Sequence, residues 1–136
     1  MCDIYGKTRK QIGYKVLAYK RNRFYSIFTG QEIKIGDVPK APKNCNTLTT
    51  GWNMQLQYDL LKNCKFYKPA YNGNTGAFIN LNDAINLTET KEIYEDKYKL
   101  VIVKIKFIGT ILHGSYNGHA IIAGSKIKSI NIVITI

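Results

Sequence analysis

Apolar and polar residues alternate along several stretches of the chain, and that alternation predicts strands. Over residues 13–20, Tyr14, Val16 and Ala18 face one way and Lys15, Leu17 and Tyr19 the other, the period of a half-buried strand. Arg21-Asn22-Arg23 makes a polar turn. Residues 24–28 read as a second strand, so the two form a hairpin. Thr29-Gly30 then leads into a short strand over residues 32–35, with Ile33 and Ile35 on one face. Gly36-Asp37 and the prolines at 39 and 42 end regular structure there. Residues 1–10 read as a polar lead-in.

The middle of the chain gives a weaker pattern. Trp52, Leu56 and Leu60 recur at helical spacing, while Met54, Leu56, Tyr58 and Leu60 also alternate. Both templates fit, so residues 39–76 stand as a long irregular or partly helical segment. Loops of that length are often binding elements or covers. Residues 77–79 resemble a short strand. A helix starts at Asn80 or Asn82, with Asp83 favourable in its first turn and Leu81, Ala84, Ile85 and Thr88 on its apolar side. Residues 89–99 are a charged, exposed run.

The last third is β-rich. Over residues 99–108, Val103, Ile105 and Phe107 point inward and Lys104 and Lys106 outward. Asn117-Gly118 is the strongest two-residue hairpin signal in the chain. Residues 126–136 place Ile130, Ile132, Ile134 and Ile136 on one face, a stripe that belongs inside a sheet. The order of elements predicts an α+β fold: an antiparallel-rich sheet with one or two short helices, forming a single domain over residues 1–136.

Composition sharpens this. With 45% hydrophobic residues the chain can bury a core, which excludes disorder as its main state. The net charge of +11 is uneven: residues 1–50 carry +7, residues 51–99 balance, and residues 100–136 carry +4 with no acid. A field of this sign attracts nucleic acid, nucleotides or acidic protein faces. Lysine outnumbers arginine 17 to 3, however, and bidentate phosphate and base readers favour arginine. Isoleucine, lysine and asparagine have A/T-rich codons, so part of the lysine excess fits an A/T-rich genome. Cys2, Cys45 and Cys64 include no CxxC pair, which argues against a disulfide framework or a zinc site and for a reducing, cytoplasmic setting. No apolar leader and no membrane-length stretch stand out.

Two groups of residues could carry chemistry. In the first hairpin, aromatic and basic residues interleave: Lys15, Tyr19, Lys20, Arg21, Arg23 and Tyr25 are the candidate ligand contacts. Tyrosine can stack on bases while lysine and arginine neutralise phosphate. At the Asn-Gly hairpin, Tyr116 and His119 should pair across the ladder, with His113 opposite Ile122; His113, Tyr116 and His119 are secondary candidates for acid–base or ligand work. No residue stands out as a catalytic nucleophile. Gly114-Ser115-Tyr116-Asn117-Gly118 is not GxSxG, and Gly73-Asn74-Thr75-Gly76 lacks the Lys-Ser/Thr of a phosphate loop. Neither a cofactor nor a metal is expected.

Three segments together resemble a small uncharacterised domain of phage and bacterial proteins. They are Gly13-Tyr14-Lys15-Val16 with Tyr25-Ser26-Ile27-Phe28-Thr29-Gly30 and Ile35-Gly36; Gly76-Ala77-Phe78 before Leu81-Asn82-Asp83-Ala84; and the strand over residues 101–108 with Gly109 and Gly118-His119-Ala120. Where that domain often has Gly-Phe-His before its helix, this chain has Gly-Ala-Phe. The resemblance implies a compact α+β domain of viral or mobile-element origin and no established activity.

The expected function is a small phage-type or viral-type binding protein acting in the host cytoplasm. It would engage an anionic host component, such as a nucleoprotein, a nucleic acid or a nucleotide signal, to blunt a defence system. No membrane partner is expected. One alternative is a nucleotide-handling enzyme of ADP-ribosyltransferase type, against which stands the lack of any acid after Asp96. The other is a structural or assembly protein whose basic ends pack on a partner.

Overall fold

The computed structural model describes residues 2–27, 30–40, 49–50, 73–89, 92–93, 98–116 and 118–136. In order, the elements are β1 (Cys2–Thr8), β2 (Ile12–Lys20), β3 (Arg23–Ser26), β4 (Glu32–Ile33), β5 (Gly36–Asp37), β6 (Thr49–Thr50), β7 (Thr75–Phe78), α1 (Leu81–Thr88), β8 (Glu92–Ile93), β9 (Lys99–Tyr116) and β10 (His119–Thr135). The helical or alternating pattern of residues 51–72, and Cys45 and Cys64, lie outside the described residues. Sheet dominates, and α1 is the single helix among the described residues. No helix among them is long and apolar enough to cross a membrane.

All strand pairings among the described residues are antiparallel, and four of them close a ring. β9 pairs β10 along its length, β10 pairs β7 over Ile121–Gly124, β7 meets β2 at Phe78 and Tyr14, and β2 returns to β9 from Ile12 to Tyr19. Closure needs Gly13. A Cβ there would stand 2.7 Å from the Cβ of Ala77 and 3.2 Å from Cγ1 of Ile122, so any side chain would hold β2 away from β7.

The ring has an inner and an outer face. Cross-strand partners share a face, so Gly13, Lys15, Leu17 and Tyr19 join Val101, Val103 and Ile105 inside. Leu17, Val101, Val103, Ile105, Phe107, Ile122 and Ile127 form that interior core. On the outer face Val16, Ala18, Ile102 and Ile121 pack beneath Ala84 of α1. Both faces of β2 and of the start of β9 are therefore buried, as in a strand sandwiched between two apolar layers. α1 begins at Leu81 with Asn80 at its N-cap position, the first of the two starts the sequence offers, and has Asp83 in its first turn.

Several expectations need correction. Residues 2–8 are not a lead-in but an edge strand paired to the second half of β9, Thr8 opposite Ile111. Gly36 and Asp37 do not end regular structure: they pair with Ile127 and Lys126 of β10. Ile33 is buried but Ile35 is 63% exposed, because Gly36, with φ +108, swings the chain from one strand edge to another. β9 is one 18-residue strand. It passes from β2 to β1 around Gly109, whose φ is +78. The isoleucine stripe does not keep one face. A register shift between Ile132 and Ile134 puts Ile130 against the interior core and Ile134 against the outer one, and leaves Ile132 and Ile136 exposed.

Candidate functional site

The β2–β3 hairpin carries most of the predicted contacts. Its register pairs Ala18 with Tyr25, Tyr19 with Phe24 and Lys20 with Arg23, leaving Arg21 and Asn22 as a two-residue turn. Both turn residues have positive φ, 51° and 63°, the type I′ geometry that matches strand twist. Asparagine tolerates this conformation, whereas arginine in it costs about 1 kcal/mol. Tyr19 secures the turn: its hydroxyl donates to Asn22 Oδ1 at 2.8 Å. Its ring packs on Phe24 with centroids 5.3 Å apart.

The ladder sorts five of the six predicted residues by face. Lys20, Arg23 and Tyr25 share the outer face, Arg21 stands at the tip, and Tyr19 lies on the inner face with Phe24. Tyr98 joins the outer group. Lys20 Nζ sits 4.7 Å above its ring centroid, a cation–π contact. Tyr25 meets it edge-on at 5.5 Å. Tyr98 was hidden in the charged run of residues 89–99, but it keeps the alternation of Leu100 and Ile102, which was the signal available. Among the described residues, neither Lys20, Arg21 nor Arg23 is paired with a carboxylate.

Lys15 departs from the expectation. It is not a surface contact beside Lys20. It faces the interior opposite Val103, and its ammonium donates to the Gly76 carbonyl at 2.8 Å. Burial, which disfavours the charged form, lowers its pKa from 10.5 to about 8. Both faces of β2 are covered, so a cation on either face of its middle is at least partly buried.

The second group is half assembled. Tyr116 and His119 pair across the ladder and His113 stands opposite Ile122, as the Asn-Gly turn predicts. Residues 113 and 116 therefore face opposite ways: His113 lies on the inner face with Ile122, and His119 and Tyr116 on the outer. In place of His113 the fold supplies Asp83. Its Oδ1 is 2.9 Å from His119 Nδ1, with the carboxylate side chain 14% exposed and the imidazole 50%. Phe78 lies edge-on to both rings, 6.2 Å from Tyr116 and 6.4 Å from His119. Burial raises the Tyr116 pKa. Nothing local in the sequence joins Asp83 to a residue on a strand that starts thirty-six positions later. Among the described residues, no three His, Cys, Asp or Glu side chains gather as a metal site would require.

No protein-family model, no curated protein and no solved structure matches this chain.

Proposed function

We propose that this is a small binding protein of phage type that engages an anionic host component through the tip of the β2–β3 hairpin. The observation that carries the reading is the conformation of that tip. Arg21 occupies a left-handed turn position where glycine or asparagine would be easier. Lys20 and Arg23 stand directly opposite each other, a like-charge pairing that weakens a ladder. Both features work against stability, and both place cations at one edge where, among the described residues, no carboxylate pairs with them. Local strain of this kind is tolerated where a site uses it. Tyr25 and Tyr98 add aromatic surface beneath the cations, which suits stacking as well as charge neutralisation. The phage-type origin rests on the sequence resemblance alone.

The test is fluorescence anisotropy with a labelled single-stranded oligonucleotide, a labelled nucleotide and a labelled polyglutamate. The Lys20→Glu/Arg21→Glu/Arg23→Glu variant should bind its ligand at least about tenfold more weakly at low salt. For the oligonucleotide, the slope of log affinity against log salt should fall by about 0.7 per lost phosphate contact. Unchanged binding to all three ligands would reject the reading.

A further inference from the structure

The Asp83–His119 pair shares no residue with the basic hairpin. It joins the first turn of α1 to the start of β10. A carboxylate only accepts hydrogen bonds, so at 2.9 Å Nδ1 of His119 carries the hydrogen and donates it to Asp83. In the neutral ring this leaves Nε2 as the basic nitrogen. The ring is held by the carboxylate on one side and by Phe78 edge-on at 6.4 Å. Tyr116 lies directly across the ladder. The carboxylate is mostly enclosed while half of the imidazole faces solvent. A clip between helix and hairpin would be as well made by an apolar contact, without desolvating a charge. An enclosed carboxylate that orients an exposed imidazole is the arrangement general-base chemistry requires.

We propose that His119, oriented by Asp83, is a general base that activates water against an anionic phosphodiester. The substrate class rests on the anionic-partner reading above and on the net charge of +11, which concentrates anions near the surface. Nε2 takes a proton from water, and the resulting hydroxide oxygen forms a bond to phosphorus. The phosphorus–oxygen bond to the leaving group breaks. The imidazolium then returns its proton to the departing oxygen. One water is consumed, a phosphomonoester and an alcohol are released, and nothing is oxidised or reduced. Asp83 is a positioning residue: it fixes the tautomer and stabilises the imidazolium as it forms.

The experiment uses the full chain with bis(p-nitrophenyl) phosphate as the turnover probe and the labelled oligonucleotide as a separate binding probe. The wild type should release p-nitrophenolate. His119→Ala should lose at least about a hundredfold, the low end for a positioned proton-transfer group, and free imidazole should restore part of the rate. His119→Gln serves as a second variant, with circular dichroism showing that each remains folded. Asp83→Asn should lower kcat while leaving KM unchanged, a split that a purely structural role would not give. Oligonucleotide binding should be the same in all of them. Wild-type turnover no faster than that of His119→Ala overturns the proposal, even if the oligonucleotide binds. Turnover that depends on His119 supports the general base whether or not the oligonucleotide binds.

Discussion

Replacing Lys15 with methionine should make the protein more stable at neutral pH. The ammonium lies on the inner face of the ring with the Gly76 carbonyl as its partner, and its pKa falls from 10.5 to about 8. A group whose charged form is disfavoured in the fold binds its proton less tightly there than in the unfolded chain. Between about pH 8 and 10.5 the unfolded chain holds more protons, so stability rises with pH across that window and is lost as pH falls back through about 8. At 1.36 kcal/mol per pH decade, the full span is about 3 kcal/mol. Methionine has nearly the same length and no charge. It forgoes one hydrogen bond, about 1 kcal/mol, so the net gain at pH 7 is about 2 kcal/mol. For a chain of this size that is roughly 8 °C in Tm, at about 4 °C per kcal/mol. Urea unfolding followed by circular dichroism at pH 7, 8.5 and 10 measures it. The quantity to plot is the variant minus the wild type, because the other lysines and the tyrosines titrate in both and cancel. That difference should shrink towards zero, or reverse slightly, as pH approaches 10. A variant less stable than wild type at pH 7, or a difference that does not change with pH, would refute the reasoning. Oligonucleotide binding should be unaffected, since Lys15 is not part of the hairpin surface.

Three further outcomes follow from the same structure. Gly124→Ala should destabilise by about 1–3 kcal/mol in urea titration, because its Cβ would lie 2.6 Å from Cδ1 of Phe107; pairing it with Phe107→Leu should recover part of the loss. Arg21→Gly should stabilise by roughly 0.5–1 kcal/mol by relieving the left-handed turn, while weakening binding of the anionic probe; a loss of stability would mean that the turn is not strained. Spectrophotometric titration should show a tyrosine hydroxyl that ionises above the ordinary 10.0 and is absent from Tyr116→Phe. Because burial raises that pKa from 10.0, its contribution to stability is complete below pH 10 and declines above it, so Tyr116→Phe should lose less stability there than wild type.

The alternation of residues 13–20 by itself determined that β2 is a strand and which residues share each of its faces. Asn117-Gly118 likewise determined the register that sets Tyr116 against His119 and His113 against Ile122. These features are local: side chains alternate at a period of two, and a two-residue turn leaves one register open to the strands it joins. Pattern alone left undecided which face of β2 is interior, because strands covered on both sides carry apolar residues on both. Closure of the ring at Tyr14 and Phe78 decided it and left Lys15 half-buried on the inner face. The edge strands β1 and β5 owe their existence to partners more than eighty residues away in sequence, and nothing in their own composition required them. The register shifts in β10 divided the isoleucine stripe between two cores. Of the candidate sites, the cationic hairpin tip was legible because its residues adjoin in sequence. Tyr98 beneath it and Asp83 beside His119 were not, because their contacts come from strand order and helix docking, which only long-range packing establishes.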